Sequence, residues 1–349
     1  MLTSLKLRDF RCFESAVIDF APDFNFFLGA NGQGKTSVLE AACLLLRLQS
    51  QRTSTIAPAI RIGAKSFALR GQYDGHDLEF RYRPLRRSVK FDDAEQRALG
   101  EYLQLARVVS FANADIELVR GSSEARRRYL DFLGLQIDAT YRTVLRSYER
   151  ALRARNAILK SLAPRPRERA AYDSLLLEHG AKLLARRAKI SGALAPLAAA
   201  AYSRISGARE KFALSFLPGA SENFAADLDA SHTQETRLRQ TMVGPHRDDL
   251  DLRVDEMSAA QFASEGQQRS IALALKLAQA EVLRAAGAAA PLLLLDDIFG
   301  ELDETRRNAL IDHLPAGSQK LVTATAMPWR KEMPAGAIFR LRERQLIAG

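Results

Sequence analysis

A chain of 349 residues, 47% hydrophobic and 26% charged, has ordinary globular composition, which excludes collagen-like, disordered and disulfide-stapled classes. At about 150 residues per domain it is long enough for roughly two domains. Its 51 Lys and Arg against 41 Asp and Glu leave +10, so the expected partner is a polyanion, either nucleic acid or an acidic membrane surface. Two cysteines, Cys12 and Cys43, are too few for a secreted scaffold, and no CxxC or His-x-x-x-His spacing suggests a metal. The N-terminus MLTSLKLRDFRCF carries charge every second or third residue, unlike a signal peptide. No apolar run approaches the roughly 18 residues that span a bilayer, so a cytoplasmic location without membrane contact is expected.

In chain order, Leu5 and Leu7 alternate with Lys6 and Arg8, which predicts a strand over Ser4–Phe10. Phe24–Leu28 predicts a second strand running into GANGQGKT, after which Val38, Ala41, Ala42, Leu45 and Leu48 recur at helical spacing. Residues 60–92 read as strands and turns punctuated by Gly71, Gly75 and Pro84. Two Ala-, Leu- and Arg-rich segments, about 124–162 and 170–206, predict an antiparallel helix pair turning at the prolines of PRPRER, 164–169. The polar stretch 221–236 reads as loop. Leu250–Val254 alternates as a strand, a helix is expected from about Gly266 to Ala286, and Leu292–Leu295 has the character of a buried strand.

Three constellations carry chemistry. GANGQGKT (Gly29, Ala30, Asn31, Gly32, Gln33, Gly34, Lys35, Thr36) matches GxxxxGK[ST], whose glycines let backbone N–H groups turn in around phosphate at a helix N-terminus. Lys35 would reach the β- and γ-phosphates and the Thr36 hydroxyl would ligate Mg²⁺. The run Leu292–Leu295 ends in Asp296, expected beside the metal, and Asp297, expected to orient or deprotonate a water. The third, Ser264, Glu265, Gly266 and Gln267, precedes a long helix; alone it reads as a capped helix start, Ser264 being a good N-cap. With the other two it resembles the signature motif of ABC-type ATPase heads, and Gly300–Asp303 then falls at the D-loop.

The blocks KLRDFRCFES, GANGQGKTSVLEA, RRRYLDFL (126–133), VGPHRDDLDL (243–252), SEGQQRSIALALKLA (264–278) and LLLLDDIFGELD (292–303) together resemble the RecF family of bacterial recombination-repair ATPases. That resemblance implies an α/β fold, a P-loop ABC-type ATPase head like those of Rad50 and SMC proteins, with an inserted helical arm. The implied domains are 1–119, the first part of the head; 120–211, the basic arm; and 212–349, the rest of the head. It also implies ATP and Mg²⁺ as cofactors, and contact of Ser264–Gln267 with the γ-phosphate of ATP held by another subunit, hence an ATP-bridged homodimer. The implied setting is gapped or junction DNA, with RecR and RecO as partners and RecA indirectly, in repair, replication restart and SOS induction. This chain departs from the family at Phe111–Asp115, which lacks a Pro-Glu before the Asp, and at Gln51-Arg52-Thr53, where His-Arg-Thr is common. His246, Arg247, Asp248 and Asp249 read locally either as a solvated turn or as a functional cluster, with no role assigned to each.

Between Arg120 and Lys211 stand 20 Lys and Arg against 8 Asp and Glu, a surplus larger than that of the whole chain. Arg146, Arg150 and Arg153 are spaced to share one helix face, as are Lys182, Arg186 and Lys189, which makes these six the candidate contacts to DNA, duplex or single-stranded/duplex junctions. Two alternatives remain at this stage. An ABC transporter subunit would be expected to carry a histidine in Leu321–Thr325, which this chain lacks. A nucleotide-binding structural protein would have lost hydrolysis, whereas Lys35, Thr36, Asp296 and Asp297 are all present, so a slow ATPase acting as a switch is expected.

Overall fold

The structure, a computed structural model, describes all residues except 51, 52, 54, 97, 98, 162–165, 209, 288, 328–335 and 349. The departure at Gln51-Arg52 and the start of PRPRER therefore lie outside the described residues. The chain divides into two compact units, one made of Met1–Asp115 and Leu283–Gly349, the other of Ile116–Val282.

The first unit opens with β1 (Leu2–Phe10), β2 (Phe13–Asp19) and β3 (Phe24–Leu28), followed by α1 (Lys35–Arg47). Then come β4 (Phe67–Tyr73), β5 (His76–Arg83), β6 (Arg86–Phe91), β7 (Ala94–Glu95), α2 (Gly100–Leu105) and β8 (Val108–Ala112). The chain leaves for the second unit through α3 (Glu117–Arg120), α4 (Ser123–Ile137), α5 (Tyr141–Lys160) and α6 (Pro166–Ser206). It continues through β9 (Phe212–Leu217), α7 (Phe224–Ala230), α8 (His232–Leu238), β10 (Asp249–Val254), β11 (Met257–Ser258) and α9 (Ala259–Phe262). Helix α10 (Glu265–Ala285) carries it back to β12 (Leu292–Asp296), α11 (Glu304–Asp312), β13 (Lys320–Ala324), β14 (Gly336–Arg342) and β15 (Gln345–Ala348).

Two sheets build the first unit. One is antiparallel in the order β2-β1-β4-β5-β6-β7; the other runs β15-β14-β3-β13-β12-β8, parallel from β14 to β8 with β15 antiparallel at its edge. Helix α1 packs against β1, β4 and β5 of the first sheet and β8, β12 and β13 of the second. A helix covered on both sides must be apolar around most of its circumference, and Val38–Leu46 is buried throughout. The continuous apolar runs Phe24–Leu28 and Leu292–Leu295 have the same cause, since a central parallel strand is covered on both faces.

In the second unit α5 and α6 run antiparallel. Asp138–Arg186, from the turn just before α5, then Tyr148 against Gly180 and the ion pair Arg155–Asp173 follow one another up α5 and down α6. The segment 124–162 is not one helix: Asp138 accepts from both the backbone N–H (2.8 Å) and the hydroxyl (2.7 Å) of Thr140, and this Asx turn separates α4 from α5. The stretch 221–236, expected as loop, contains α7 and begins α8. Asn223 caps α7 by accepting from Ala226 N–H at 3.1 Å, and the buried pair Phe224 and Leu228, four residues apart, anchors it. A single apolar pair in a polar stretch is too weak a periodicity to announce a helix. The second unit also takes in residues 212–282, because β9 packs on α6 and pairs with β10.

Arg155 is the most enclosed cation of the helix pair, bonded to Asp173 at 2.5 Å, Glu235 at 2.6 Å and the Thr241 hydroxyl at 2.9 Å. Arg155→Ala strands the fully buried Glu235 and is expected to cost about 3–5 kcal/mol in denaturant unfolding, whereas Arg155→Met with Glu235→Leu recovers most of that loss.

Candidate functional site

The loop Gly29–Thr36 joins the end of β3 to the N-terminus of α1, and Lys35 and Thr36 are the first two residues of that helix. Gly34 sits at φ +102°, and a Cβ there would lie 2.5 Å from Cys12 Sγ and 2.9 Å from the Phe13 ring. Only glycine meets both constraints. Lys35 Nζ donates to the carbonyls of Gly29 (2.6 Å) and Ala30 (3.0 Å), so its charge is held over the loop. Burial pushes the Lys35 ammonium below its usual range, and Asp297 and Asp296 oppose that shift. Helix dipole, inward N–H groups and ammonium converge on a place suited to a polyphosphate.

Strand β12 delivers the carboxylates. Thr36 Oγ1 donates to Asp296 Oδ1 at 2.8 Å, and Thr323 Oγ1 on the neighbouring β13 donates to the same oxygen at 2.8 Å. The Thr323 hydroxyl in turn accepts from Asp297 N–H at 2.9 Å. Asp297 has a left-handed backbone, φ 52°, which turns the chain sharply off the strand end. Burial holds its carboxyl above the ordinary range, with Asp296 and Glu301 adding to the shift and Lys35 opposing it. A hydroxyl and a carboxylate side by side fit a hard divalent cation that takes its other oxygens from phosphate and water.

Two contributors escape a sequence reading. Thr323 looks like one more buried β-branched strand residue, although a hydroxyl in an otherwise apolar run was a usable signal. Asn113 follows β8 in the segment that departs from the family, and its amide donates to Glu301 Oε1 at 2.9 Å and reaches the Asp297 carbonyl at 3.4 Å. Asp115 caps the same turn by accepting from Ala112 N–H at 2.7 Å.

The signature segment lies in the second unit. Ser264 and Gln267 form a reciprocal capping box at the start of α10: Gln267 N–H donates to Ser264 Oγ at 3.3 Å and Ser264 N–H to Gln267 Oε1 at 2.6 Å. Gln267 Nε2 also donates to Glu210 at 2.7 Å. Glu265 pairs with Arg269 at 2.8 Å, and Gly266 receives the Ser270 hydroxyl on its carbonyl at 2.9 Å.

The His246–Asp249 cluster is structural glue rather than a solvated turn. Asp248, fully buried, accepts from Gly219 N–H (2.7 Å) and from Arg187 Nη1 (2.8 Å), which also donates to the Pro245 carbonyl at 2.6 Å, while Arg187 Nε and Nη2 grip Asp131, each at 3.0 Å. Asp249 takes a bidentate pair from Arg126 at 2.6 and 2.9 Å, and Arg127 donates to the Asp248 carbonyl at 2.8 Å. The blocks RRRYLDFL and GPHRDD therefore bind each other. Among the six arm cations, Arg186 is held by Asp138 at 2.6 Å, Lys182 by Glu178 at 2.5 Å and Arg153 by Glu149 at 3.7 Å. Arg146, Arg150 and Lys189 are exposed.

Fold and site together define a P-loop ATPase head with a second unit inserted between its two sequence halves. A family model described as an AAA domain matches residues 4–158. Curated DNA replication and repair proteins RecF are similar along nearly the whole chain. That of Rippkaea orientalis is 35% identical, covering 93% of each chain, and that of Acidothermus cellulolyticus is 34% identical, covering 99% of this chain and 98% of its own. A solved structure of the recombination mediator protein RecF-ATP in the RecFOR pathway superposes with a TM-score of 0.90 at 27% identity, covering 99% of this chain and 97% of that one. An SMC head bound to part of ScpA, 15% identical with a TM-score of 0.56, shares the fold. The chain belongs to the RecF family of DNA replication and repair proteins. Family membership does not favour the transporter alternative. No helix among the described residues is long and apolar enough to cross a membrane.

The half-buried His246 ring tests the structural role of its cluster. One ring nitrogen faces the Tyr148 hydroxyl at 2.7 Å and the other the Thr241 carbonyl at 2.9 Å, and burial, with Arg247 and Arg127 nearby, pushes its pKa from 6.5 down to about 4. Protonation then favours the unfolded chain. The stability present above pH 6.5 is lost as pH falls toward 4, on the order of 3 kcal/mol in full. Denaturant midpoints across that window should drop more steeply for wild type than for His246→Gln.

Proposed function

We propose that this chain is an ATP-driven switch acting on DNA, which binds ATP and Mg²⁺, dimerises around the nucleotide and ends that state by slow hydrolysis. One observation carries the reading: the Thr36–Asp296 hydrogen bond of 2.8 Å joins the phosphate-facing helix end to the cation-facing strand end. Gly29–Thr36 would cradle the phosphates, Lys35 would meet the β- and γ-oxygens, and Thr36 and Asp296 would hold Mg²⁺. The cation, when bound, neutralises charge on the phosphates during transfer. Asp297 would orient a water and take its proton; a carboxyl held above the ordinary range is a better base than a free one. Aspartate is one methylene shorter than glutamate, which favours a slow reaction.

Ser264–Gln267 of a second copy would close the site over the γ-phosphate, so that hydrolysis removes the interaction holding the dimer. The exposed cations of the arm, Arg146, Arg150 and Lys189 foremost, would contribute to DNA binding, with gapped or junction DNA as the setting. The RecFOR context of the solved relative supports RecR and RecO as partners, and recombinase loading, through RecA, is the outcome that the family resemblance implies.

The roles separate experimentally. Lys35→Ala should lower ATP affinity by at least about tenfold, whereas Asp297→Asn keeps affinity and slows single-turnover hydrolysis by roughly 10²-fold or more. Equal loss of affinity in both variants overturns the division of labour. In sedimentation, Ser264→Arg should bind ATP yet remain monomeric; a normal ATP-dependent dimer contradicts the shared site.

A further inference from the structure

Away from the phosphate loop, the first unit carries a second concentration of charge. The outer face of its antiparallel sheet holds a trough of about 890 Å³. Strand alternation builds it. Leu5, Leu7, Leu69, Phe80 and Val89 point into the core, so Lys6, Arg8, Arg70, Arg81 and Lys90 on the same strands line the opposite face.

The pairing register then sets like charges side by side. Lys6 on β1 stands opposite Arg70 on β4, and Arg83 on β5 stands opposite Arg86 on β6. Like charges directly opposite one another destabilise a sheet, and these two pairs flank a row in which signs alternate, with Glu79 opposite both Arg70 and Lys90 and Glu95 opposite Lys90. Arg70 and Arg81 share Glu79, and the carboxylate of Asp9 at the margin is held by Arg61 at 2.8 Å. Among the described residues, Lys6, Arg8, Arg83, Arg86 and Lys90 make no ion pair; Glu95 is the one carboxylate of the lining left to oppose them.

Between these cations the trough presents the hydroxyls of Ser15, Ser66 and Ser88, the small Ala68 and the exposed Val17 opposite Lys6. A protein partner's hot spot would call for a pocket that buries an aromatic or aliphatic anchor. A shallow floor with hydroxyl donors, walled by cations, suits the phosphates of a rounded polyanion. We propose that this trough grips the sugar–phosphate backbone of duplex DNA without reading its sequence. The inference rests on the DNA-acting reading above and assigns it a surface outside the helical arm.

The test is anisotropy of a fluorescent random-sequence duplex over a salt series, with ATP and Mg²⁺, on the full chain. In Arg8→Glu/Arg83→Glu/Arg86→Glu, affinity should fall at least about tenfold and the log–log salt slope should flatten by about 2.7, at about −0.9 for each phosphate no longer neutralised. The exposed positions of these residues should leave ATP affinity unchanged, and the matching triple Lys variant should bind DNA within about threefold of wild type. Wild-type binding by the Glu variant overturns the proposal. If Arg146→Glu/Arg150→Glu/Arg153→Glu alone loses affinity, the DNA reading stands and the trough does not. A wild-type chain with no salt-sensitive DNA binding sinks both. Loss of ATP-dependent dimerisation with DNA affinity intact makes the trough a self-association surface and equally overturns the proposal.

Discussion

One carboxylate oxygen organises the head. Asp296 Oδ1 accepts the hydroxyls of Thr36 and Thr323, so the first turn of α1 and two adjacent strand ends meet at a single atom. The strands arrive there because β12 is parallel to β13 and β8, with Asp296 opposite Thr323 on one side and Ala112 on the other. Parallel pairing aligns the C-terminal ends of all these strands, and it is there that open α/β sheets present their ligand sites. Asp297 then inherits its position. Its N–H is tied to Thr323, its left-handed backbone swings the side chain off the strand, and Asn113 contacts its carbonyl. Two donated hydrogen bonds on one oxygen fix this carboxylate's orientation.

The second unit is organised by a different economy. Arg187 and Arg155 are almost wholly enclosed, each satisfied by two carboxylates and by further oxygens. Such networks contribute little net stability over an apolar core of equal volume, because desolvation offsets the attraction. Their geometry is specific, however. Arg187 fits only when Asp131 on α4, Pro245 and Asp248 all present oxygens to it, so it fixes how α4, α6 and the Gly244–Asp249 turn assemble. The family blocks that look most like catalytic motifs, full of arginines and carboxylates, act here on each other.

Charge summed along the chain is an incomplete guide to where charge gathers in space. Residues outside 120–211 come close to neutral in total, yet the sheet of the first unit collects cations on one face, because neighbouring strands project the same parity of residue to the same side. In the arm the reverse occurs: Lys182 and Arg153 pair with carboxylates one turn away on their own helices, as their spacing allows, and Arg186 finds Asp138, 48 residues distant, once folded.

Much of the site was legible without coordinates, for a local reason. A phosphate loop is built from backbone N–H groups of consecutive residues, so its glycines, Lys35 and Thr36 announce themselves, and Leu292–Leu295 marks a strand covered on both faces that ends at Asp296. The long apolar periodicities of α1, α6 and α10 were equally plain. What folding alone decided involves residues far apart in the chain, or too few of them to make a pattern. The Asx turn at Asp138 and helix α7 depend on one or two side chains, below what periodicity detects. Thr323 and Asn113 join the site because β13 and β8 flank β12, 27 and 184 residues away by the bonds they make. A hydrogen bond needs about 3 Å of proximity, and nothing in a linear pattern records which distant atoms a sheet will bring that close.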